Sequence, residues 1–226
     1  MVKAGTGKGV IFDLDGVLID SAAAHKQSWF DLAAKEGYNK MSDEFFHDTF
    51  GMQNYQILPI LEGKELSKER IDELSDWKEQ RYREIFADTI KLADGAENLF
   101  NELKAEGFLL AIGSSTPKEN LDFVMEHLKI EKHFKTIVSM KDVTRGKPAP
   151  DTFLLAAKNL SLEPENCVVI EDSLAGLEAA IAAKMLVVAL TTTRRRDELT
   201  AADMIVNGLY ELGAKDFVAI FKAQAA

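Results

Sequence analysis

The 226-residue sequence holds a single cysteine, Cys167, which excludes an intramolecular disulfide. That cysteine lies in the apolar run CVVI, where it reads as core rather than as a reactive thiol. Positive charge is also short: 27 Lys and Arg stand against 37 Asp and Glu, for a formal charge of −10. Nucleic-acid binding needs a basic footprint that this balance lacks, although a few converging cations or a metal can still hold an anion. No uninterrupted apolar run approaches the roughly 20 residues of a membrane span. The opening MVKAGTGKG has no signal-peptide core. These absences predict a cytoplasmic protein with no nucleic-acid partner and no membrane attachment. The oligomeric state is not readable, and a monomer is compatible with all of this.

What is present is a rhythm. Short apolar runs recur as GVIF (9–12), FLLAI (108–112), TIVS (136–139), CVVI (167–170), LVVAL (186–190) and a weaker DMIV (203–206). They are apolar throughout, as strands buried on both faces should be. Helical patterns separate the later ones. Asp94 with Glu97 resembles a capping box ahead of Leu99 and Leu103, and Gly107 ends that helix. Pro117 suits a first helical position before Leu121, Val124, Met125 and Leu128. Leu174, Leu177 and Ile181 repeat the spacing after CVVI. Strand alternating with helix predicts an α/β fold, a Rossmann-like parallel sheet flanked by helices.

Between the first two strands the rhythm breaks. Residues 18–90 carry no convincing strand, only helical stretches near 21–36, 42–49, 53–62 and 67–87. The expectation is an α-helical domain, 18–90, inserted into a core built from 1–17 and 91–226. The GTGKG stretch (5–9) is not a phosphate loop, because Gly9 follows the lysine and the strand comes afterwards.

Ligands of a parallel sheet bind at the carboxyl ends of its strands. The first strand ends on Asp13 and Asp15, which share a face in extended chain. The second ends on Ser114, backed by Ser115 and Thr116; the third is followed by RGKPAP, with Lys147; the fourth ends on Glu171 and Asp172. Singly, each has a bland explanation: Asp15-Gly16 as a turn, Asp172 or Ser173 and Thr116 as helix caps, Lys147 as a solvated loop lysine. Jointly, capping alone rarely sets Asp/Asp, Ser, Lys and Glu/Asp on consecutive strand ends. Several carboxylates together repel unless a cation sits among them, and an all-oxygen site suits Mg2+. A lysine and a serine hydroxyl can hold the oxygens of a transferring phosphoryl group. One aspartate can then attack phosphorus while the other trades a proton.

These residues match a family pattern. The chain resembles the haloacid dehalogenase-like superfamily of phosphotransferases over nearly its whole length. The first motif is Asp13-Leu14-Asp15-Gly16-Val17, the second Ser114, the third Lys147 in Gly-Lys-Pro-x-Pro, and the fourth Glu171-Asp172 followed by Ser173 and Gly176. The resemblance implies Asp13 as nucleophile and Asp15 as general acid/base. It implies Mg2+ on the Asp13 carboxylate, the Asp15 backbone carbonyl and Asp172, with Glu171 as ligand or support. Ser114 and Lys147, with Ser115 beside them, would hold the phosphoryl group. An acid at Asp15 sets the chain apart from the superfamily's dehalogenases and phosphonate hydrolases.

Within that superfamily the chain is similar to the group of β-phosphoglucomutase and sugar-phosphate phosphatases. There His25 matches a histidine near the cap hinge and Lys78 a cap lysine that faces the active site. A core histidine and a lysine with a buried stem are the structural alternatives. Thr116, Lys118 and Asn120 resemble, more weakly, a second phosphate-binding cluster. Where the mutase has a phosphate-gripping arginine, this chain has Asn54, in Gly51-Met52-Gln53-Asn54, which supplies neither charge nor a bidentate fork. Arg70, Arg81 or Arg83 are the candidates to replace it. The run TTTRRR (191–196) reads as a solvated loop. The expected function is a Mg2+-dependent phosphatase acting on a small phosphorylated metabolite of the sugar-phosphate kind. A β-phosphoglucomutase-type transferase is the alternative, and a non-catalytic binding or regulatory protein the less favoured one.

Overall fold

The structure, a computed structural model, describes residues 7–50 and 52–224. Residues 1–6, Gly51 and residues 225–226 lie outside the described residues. With them go part of the GTGKG stretch, the first residue of the Asn54 motif and the end of the Ala-rich tail. The chain separates into two compact units, Ser21–Ile90 and the remainder on either side of it.

The Ser21–Ile90 unit is helical: α1 Ala22–Glu36, α2 Asp43–Thr49, α3 Asn54–Glu62 and α4 Lys68–Phe86. Local chemistry sets its boundaries. Ser42 and Ser67 cap α2 and α4 by accepting from Phe45 and Arg70 N–H, satisfying donors that a helix start leaves unpaired. Gly37 and Gly63 end α1 and α3 in the left-handed conformation. Trp29, Leu32, Ile57, Leu58, Leu61 and Leu74 form the unit's own apolar core.

The second unit carries a six-stranded parallel sheet: β1 Gly9–Phe12, β2 Leu109–Gly113, β3 Thr136–Val138, β4 Cys167–Glu171, β5 Leu186–Leu190 and β6 Met204–Val206. Its order is β3-β2-β1-β4-β5-β6, so the chain reverses direction across the sheet between β1 and β4. Helices α5 Ala96–Ala105, α6 Lys118–Leu128, α7 Asp151–Leu160, α8 Leu174–Ala182 and α9 Ala214–Gln224 flank it. Ile11, Val169 and Val187 face one way and pack with Phe153, Leu160 and Leu177 from α7 and α8. Phe12 faces the other way, edge-on to Phe100 of α5 at 5.3 Å. A sheet covered on both faces needs apolar residues at every position, and β1, β4 and β5 are buried throughout.

Three details differ from the sequence reading. Asp94 does not cap α5; Gly95 does, at φ 85°, where an added Cβ would lie 2.6 Å from the Tyr210 backbone. Pro117 stands just before α6, at its N-cap, rather than inside it. Helices α7 and α9 lie where the periodicity named none. Lys8 of the GTGKG stretch rests over the Phe221 ring at 4.2 Å.

One buried group opposes the fold. His133 is 8% exposed and neither ring nitrogen has a hydrogen-bond partner among the described residues. Burial, helped by Lys104 and Lys132, holds its imidazolium below the ordinary 6.5. The unfolded chain binds that proton more readily, so stability is full above about 6.5 and falls as pH drops through the lowered value. Replacing His133 by Leu is expected to stabilise the protein by about 1 kcal/mol at neutral pH. The gain should widen below pH 6.5, as measured by thermal melts of both proteins across that range.

Candidate active site

In-register pairing builds the site. Phe12 of β1 lies level with Ile112 of β2 and Ile170 of β4. One residue further along, Asp13 therefore emerges between the ends of β2 and β4, at the point where strand order reverses. Such a point leaves a crevice between diverging chains, where ligands of open α/β sheets bind. The Asp13 N–H donates to the Ile170 carbonyl at 3.0 Å, and the Ser114 N–H to the Val138 carbonyl at 3.0 Å.

The Lys147 ammonium donates to Asp13 Oδ1 and to Glu171 Oε1, both at 2.6 Å. Its charge also lies 4.6 Å from the Phe153 ring centroid. Lys147 is thus a buried cation, its side chain 6% exposed, and not a solvated loop lysine. Glu171 Oε2 accepts from the Asp172 N–H at 2.8 Å, the Ser173 N–H at 2.8 Å and the Ser173 hydroxyl at 3.0 Å. Ser173, not Asp172, caps α8 by accepting from the Gly176 N–H.

Asp13, Glu171 and Asp172 are all buried, and one oxygen of each lies within 4.8 Å of the others. Three carboxylates against one ammonium leave two formal negative charges uncompensated, the charge of one divalent cation. Burial and the mutual repulsion of these acids both favour their protonated forms. Burial first, then the charges of Glu171 and Asp15, outweigh Lys147 and raise the Asp13 carboxyl to about 7. Burial, with Glu171 and Asp13, pushes Asp172 well above the usual carboxylate range. The donor set is oxygen only and too negative for its surroundings, which fits Mg2+.

Asp15 leaves the strand in a tight turn. Gly16 has φ 79°, its N–H donates to the Ile19 carbonyl at 2.8 Å, and an added Cβ would fall 2.0 Å from Asp172 Oδ2. The Asp-Gly turn is real, and it makes room for an acidic site. The Asp15 side chain lies outside the three-carboxylate group and accepts from the Thr116 hydroxyl. Thr116 in turn accepts from the Ser114 hydroxyl at 2.8 Å. Thr116 therefore serves Asp15 and caps nothing. Ser115 carries a buried hydroxyl with no partner among the described residues. Lys118 pairs with Asp122 at 2.6 Å and 2.7 Å on the surface, and Asn120 is fully buried.

The TTTRRR run is not simply a solvated loop. Thr192 donates to the Gly16 carbonyl at 2.7 Å, and Thr193 to the Asp172 carboxylate at 2.6 Å. The signal for it was available: the run leaves the carboxyl end of β5, next to β4, the end at which ligands of such sheets bind.

In the helical unit, His25, Lys78 and Asn54, singled out by sequence, cluster with a fourth residue, Glu79, that was not. Lys78, 2% exposed, lies 2.8 Å from Glu79 Oε1 and 2.8 Å from His25 Nδ1. Asn54 Nδ2 donates to the same Glu79 oxygen at 2.8 Å. His25 stacks on Tyr82 with ring centroids 4.0 Å apart. Lys78 is wholly buried, not merely buried at its stem. Glu79 carries no distinguishing sequence pattern. Arg70 is engaged by Glu36 and Glu73, and Arg81 by Asp31 and Glu84.

Strand-end acids, a buried lysine and a chain of hydroxyls come together at the sheet's reversal point, an arrangement whose chemistry suits phosphoryl transfer. The chain belongs to the haloacid dehalogenase-like hydrolase family, whose model matches residues 10–190. It is 32% identical over 92% of its length to the chloroplastic 5-amino-6-(5-phospho-D-ribitylamino)uracil phosphatase of Arabidopsis thaliana, of which it spans 56%. It is 33% identical to a phosphorylated carbohydrates phosphatase of Thermotoga maritima, over 76% of this chain and 80% of that one. Among solved structures, a β-phosphoglucomutase from Clostridium difficile matches with a TM-score of 0.88 and 26% identity, over 97% of this chain and 99% of that one. The family classes the chain as a hydrolase, and both of these curated relatives are phosphatases. No described helix is long and apolar enough to cross a membrane.

The buried Lys78–Glu79 pair makes an acid-range prediction. Burial alone would raise the Glu79 carboxyl, but Lys78, then His25, bring it from the ordinary 4.5 down to about 2. Its ionised form therefore stabilises the fold above 4.5, and that contribution is lost as pH falls toward 2. Glu79→Gln should cost about 3 kcal/mol at neutral pH by stranding Lys78. The difference from wild type should shrink across that acid window in denaturant titrations.

Proposed function

We propose that this chain is a Mg2+-dependent phosphatase of a small phosphorylated metabolite of the sugar-phosphate kind. The observation that carries the reading is the Lys147 ammonium shared by Asp13 and Glu171, with Asp172 beside them and a two-charge deficit left over. The names of the two phosphatase relatives support the substrate class, since both act on phosphorylated polyol or carbohydrate compounds.

In this reading a carboxylate oxygen of Asp13 attacks phosphorus and the ester P–O bond breaks, leaving an aspartyl-phosphate. Asp15, as the carboxylic acid, gives its proton to the departing oxygen. It then takes a proton from water, which attacks the aspartyl-phosphate, releases inorganic phosphate and regenerates Asp13. Thr116 orients the Asp15 carboxyl for both transfers, and Ser114 orients Thr116. Lys147 and the unpartnered Ser115 hydroxyl hold the phosphoryl oxygens, the Ser114 proton being already given to Thr116. Asp13, Asp172 and the Asp15 backbone carbonyl would hold Mg2+, with Glu171 as ligand or as anchor for Lys147. Bound there, Mg2+ supplies charge neutralisation at the phosphoryl group.

The mutase reading rests on the likeness to β-phosphoglucomutase. Against it, a mutase grips a second phosphate, and here Asn54 stands at the arginine's position and bonds Glu79. Arg70 and Arg81 are already matched to carboxylates. The deciding experiment is phosphorus NMR of the protein with Mg2+ and hexose, pentose and polyol phosphates, including β-glucose 1-phosphate with a trace of glucose 1,6-bisphosphate. Inorganic phosphate growing from one or a few esters is expected. Glucose 6-phosphate appearing without free phosphate would establish the mutase instead, and no turnover of any ester would favour a binding protein.

Asp13→Asn should abolish turnover while the fold, followed by circular dichroism, and substrate binding, followed by calorimetry, persist. Near-normal activity in that variant would remove Asp13 as nucleophile.

A further inference from the structure

The three threonines after β5 each bond a different element. The Thr191 N–H donates to the Val206 carbonyl and its hydroxyl to Asn207 Oδ1, both at 3.0 Å, rooting the loop on the end of β6. Thr192 donates to the Gly16 carbonyl at 2.7 Å, holding the turn that carries Asp15. The Thr193 hydroxyl lies 2.9 Å from the Asp172 carbonyl and 2.6 Å from Asp172 Oδ2.

Asp172 Oδ2 is thereby trapped. On one side is Gly16, which has no Cβ and could not carry one, since it would fall 2.0 Å from that oxygen. On the other is the Thr193 hydroxyl. Oδ1 accepts no hydrogen bond among the described residues, so one oxygen of the carboxylate is fixed and the other is available. A carboxylate free to rotate would lose that distinction, and a cation would have to order it on binding. Groups that orient a metal-binding carboxylate carry a measurable share of the metal affinity.

We propose that Thr193 is a positioning residue for the divalent-cation site: its hydroxyl fixes Asp172 Oδ2 and leaves Oδ1 as the ligating oxygen. The inference rests on the metal reading above and adds to it a residue from the loop after β5, outside the segments that carry the acids, serine and lysine. Thr192, on the same loop, couples this support to the Asp15 turn.

The test is direct cation binding, with no substrate and no turnover. Mg2+ is titrated calorimetrically into wild type, Thr193→Val, Thr193→Ser and Asp172→Asn, with Mn2+ electron paramagnetic resonance as an independent readout. Valine keeps the shape and loses only the donor; serine restores the donor. Thr193→Val is expected to weaken cation binding about tenfold or more, and Thr193→Ser to stay near wild type. Asp172→Asn should be at least as weak as Thr193→Val. If Thr193→Val binds as tightly as wild type while Asp172→Asn does not, the role of Thr193 is overturned and the metal site stands. A lower melting temperature for Thr193→Val with unchanged affinity overturns it equally, since Thr193 would then be structural only. Wild-type protein that binds neither cation overturns the metal reading and this inference together. Should the valine variant fail to fold, Thr193→Ala, which also lacks the hydroxyl, takes its place in the same comparison.

Discussion

The shared ammonium of Lys147 is the constraint on which the site depends. Without it, Asp13 and Glu171 would face each other as two buried anions at adjacent strand ends, at a cost that burial multiplies. With it, they are held 2.6 Å from one cation, and the remaining Glu171 oxygen is free to take the two N–H groups that open the next segment. The pair of strands that diverge at the sheet's reversal point is thereby joined across the crevice by charge. Asp172 feels that ammonium only at a distance, with no direct contact to it. Its neighbours are therefore a glycine without a side chain and a threonine hydroxyl rather than a second lysine.

The helical unit solves a similar problem without a metal-like deficit. Lys78 and Glu79 are both buried, and each charge finds its opposite directly beside it. Asn54 and His25 satisfy what the pair leaves over. The difference between the two clusters is one of balance: one cation for one anion in the helical unit, one for three in the sheet unit. Balanced pairs support structure, whereas imbalance is what makes a group available for chemistry or for binding a further charge.

Much of the sheet was legible because fully buried parallel strands have no polar face to disguise them. GVIF, CVVI and LVVAL are apolar at every position, and their ends are marked by the first polar residue, which is also where ligands bind. The helical stretches between residues 21 and 87 were legible as a region without strands, and the structure ends them with serine caps and glycine stops. Errors arose where tertiary contact outranked local preference. Asp94 has the right spacing for a cap, yet the Tyr210 backbone crowds the chain there and only the adjacent Gly95 can turn. The threonine run after β5 reads as loop by composition, yet its hydroxyls bond back to Asp172 on the preceding strand end and to Gly16 far away in the chain.

The sequence by itself determined which residues are acidic, basic or hydroxylic at each strand end, because a strand's end and its side-chain identities are local properties. These identities already mark the class of chemistry. Only the tertiary structure decided how the charges are shared. That Lys147 serves both Asp13 and Glu171, that Thr116 turns to Asp15 rather than capping a helix, and that Lys78 is matched by Glu79 are facts of distance between residues far apart in the chain or differently oriented along it. Electrostatic energy depends on separation and burial, and neither is written in residue order.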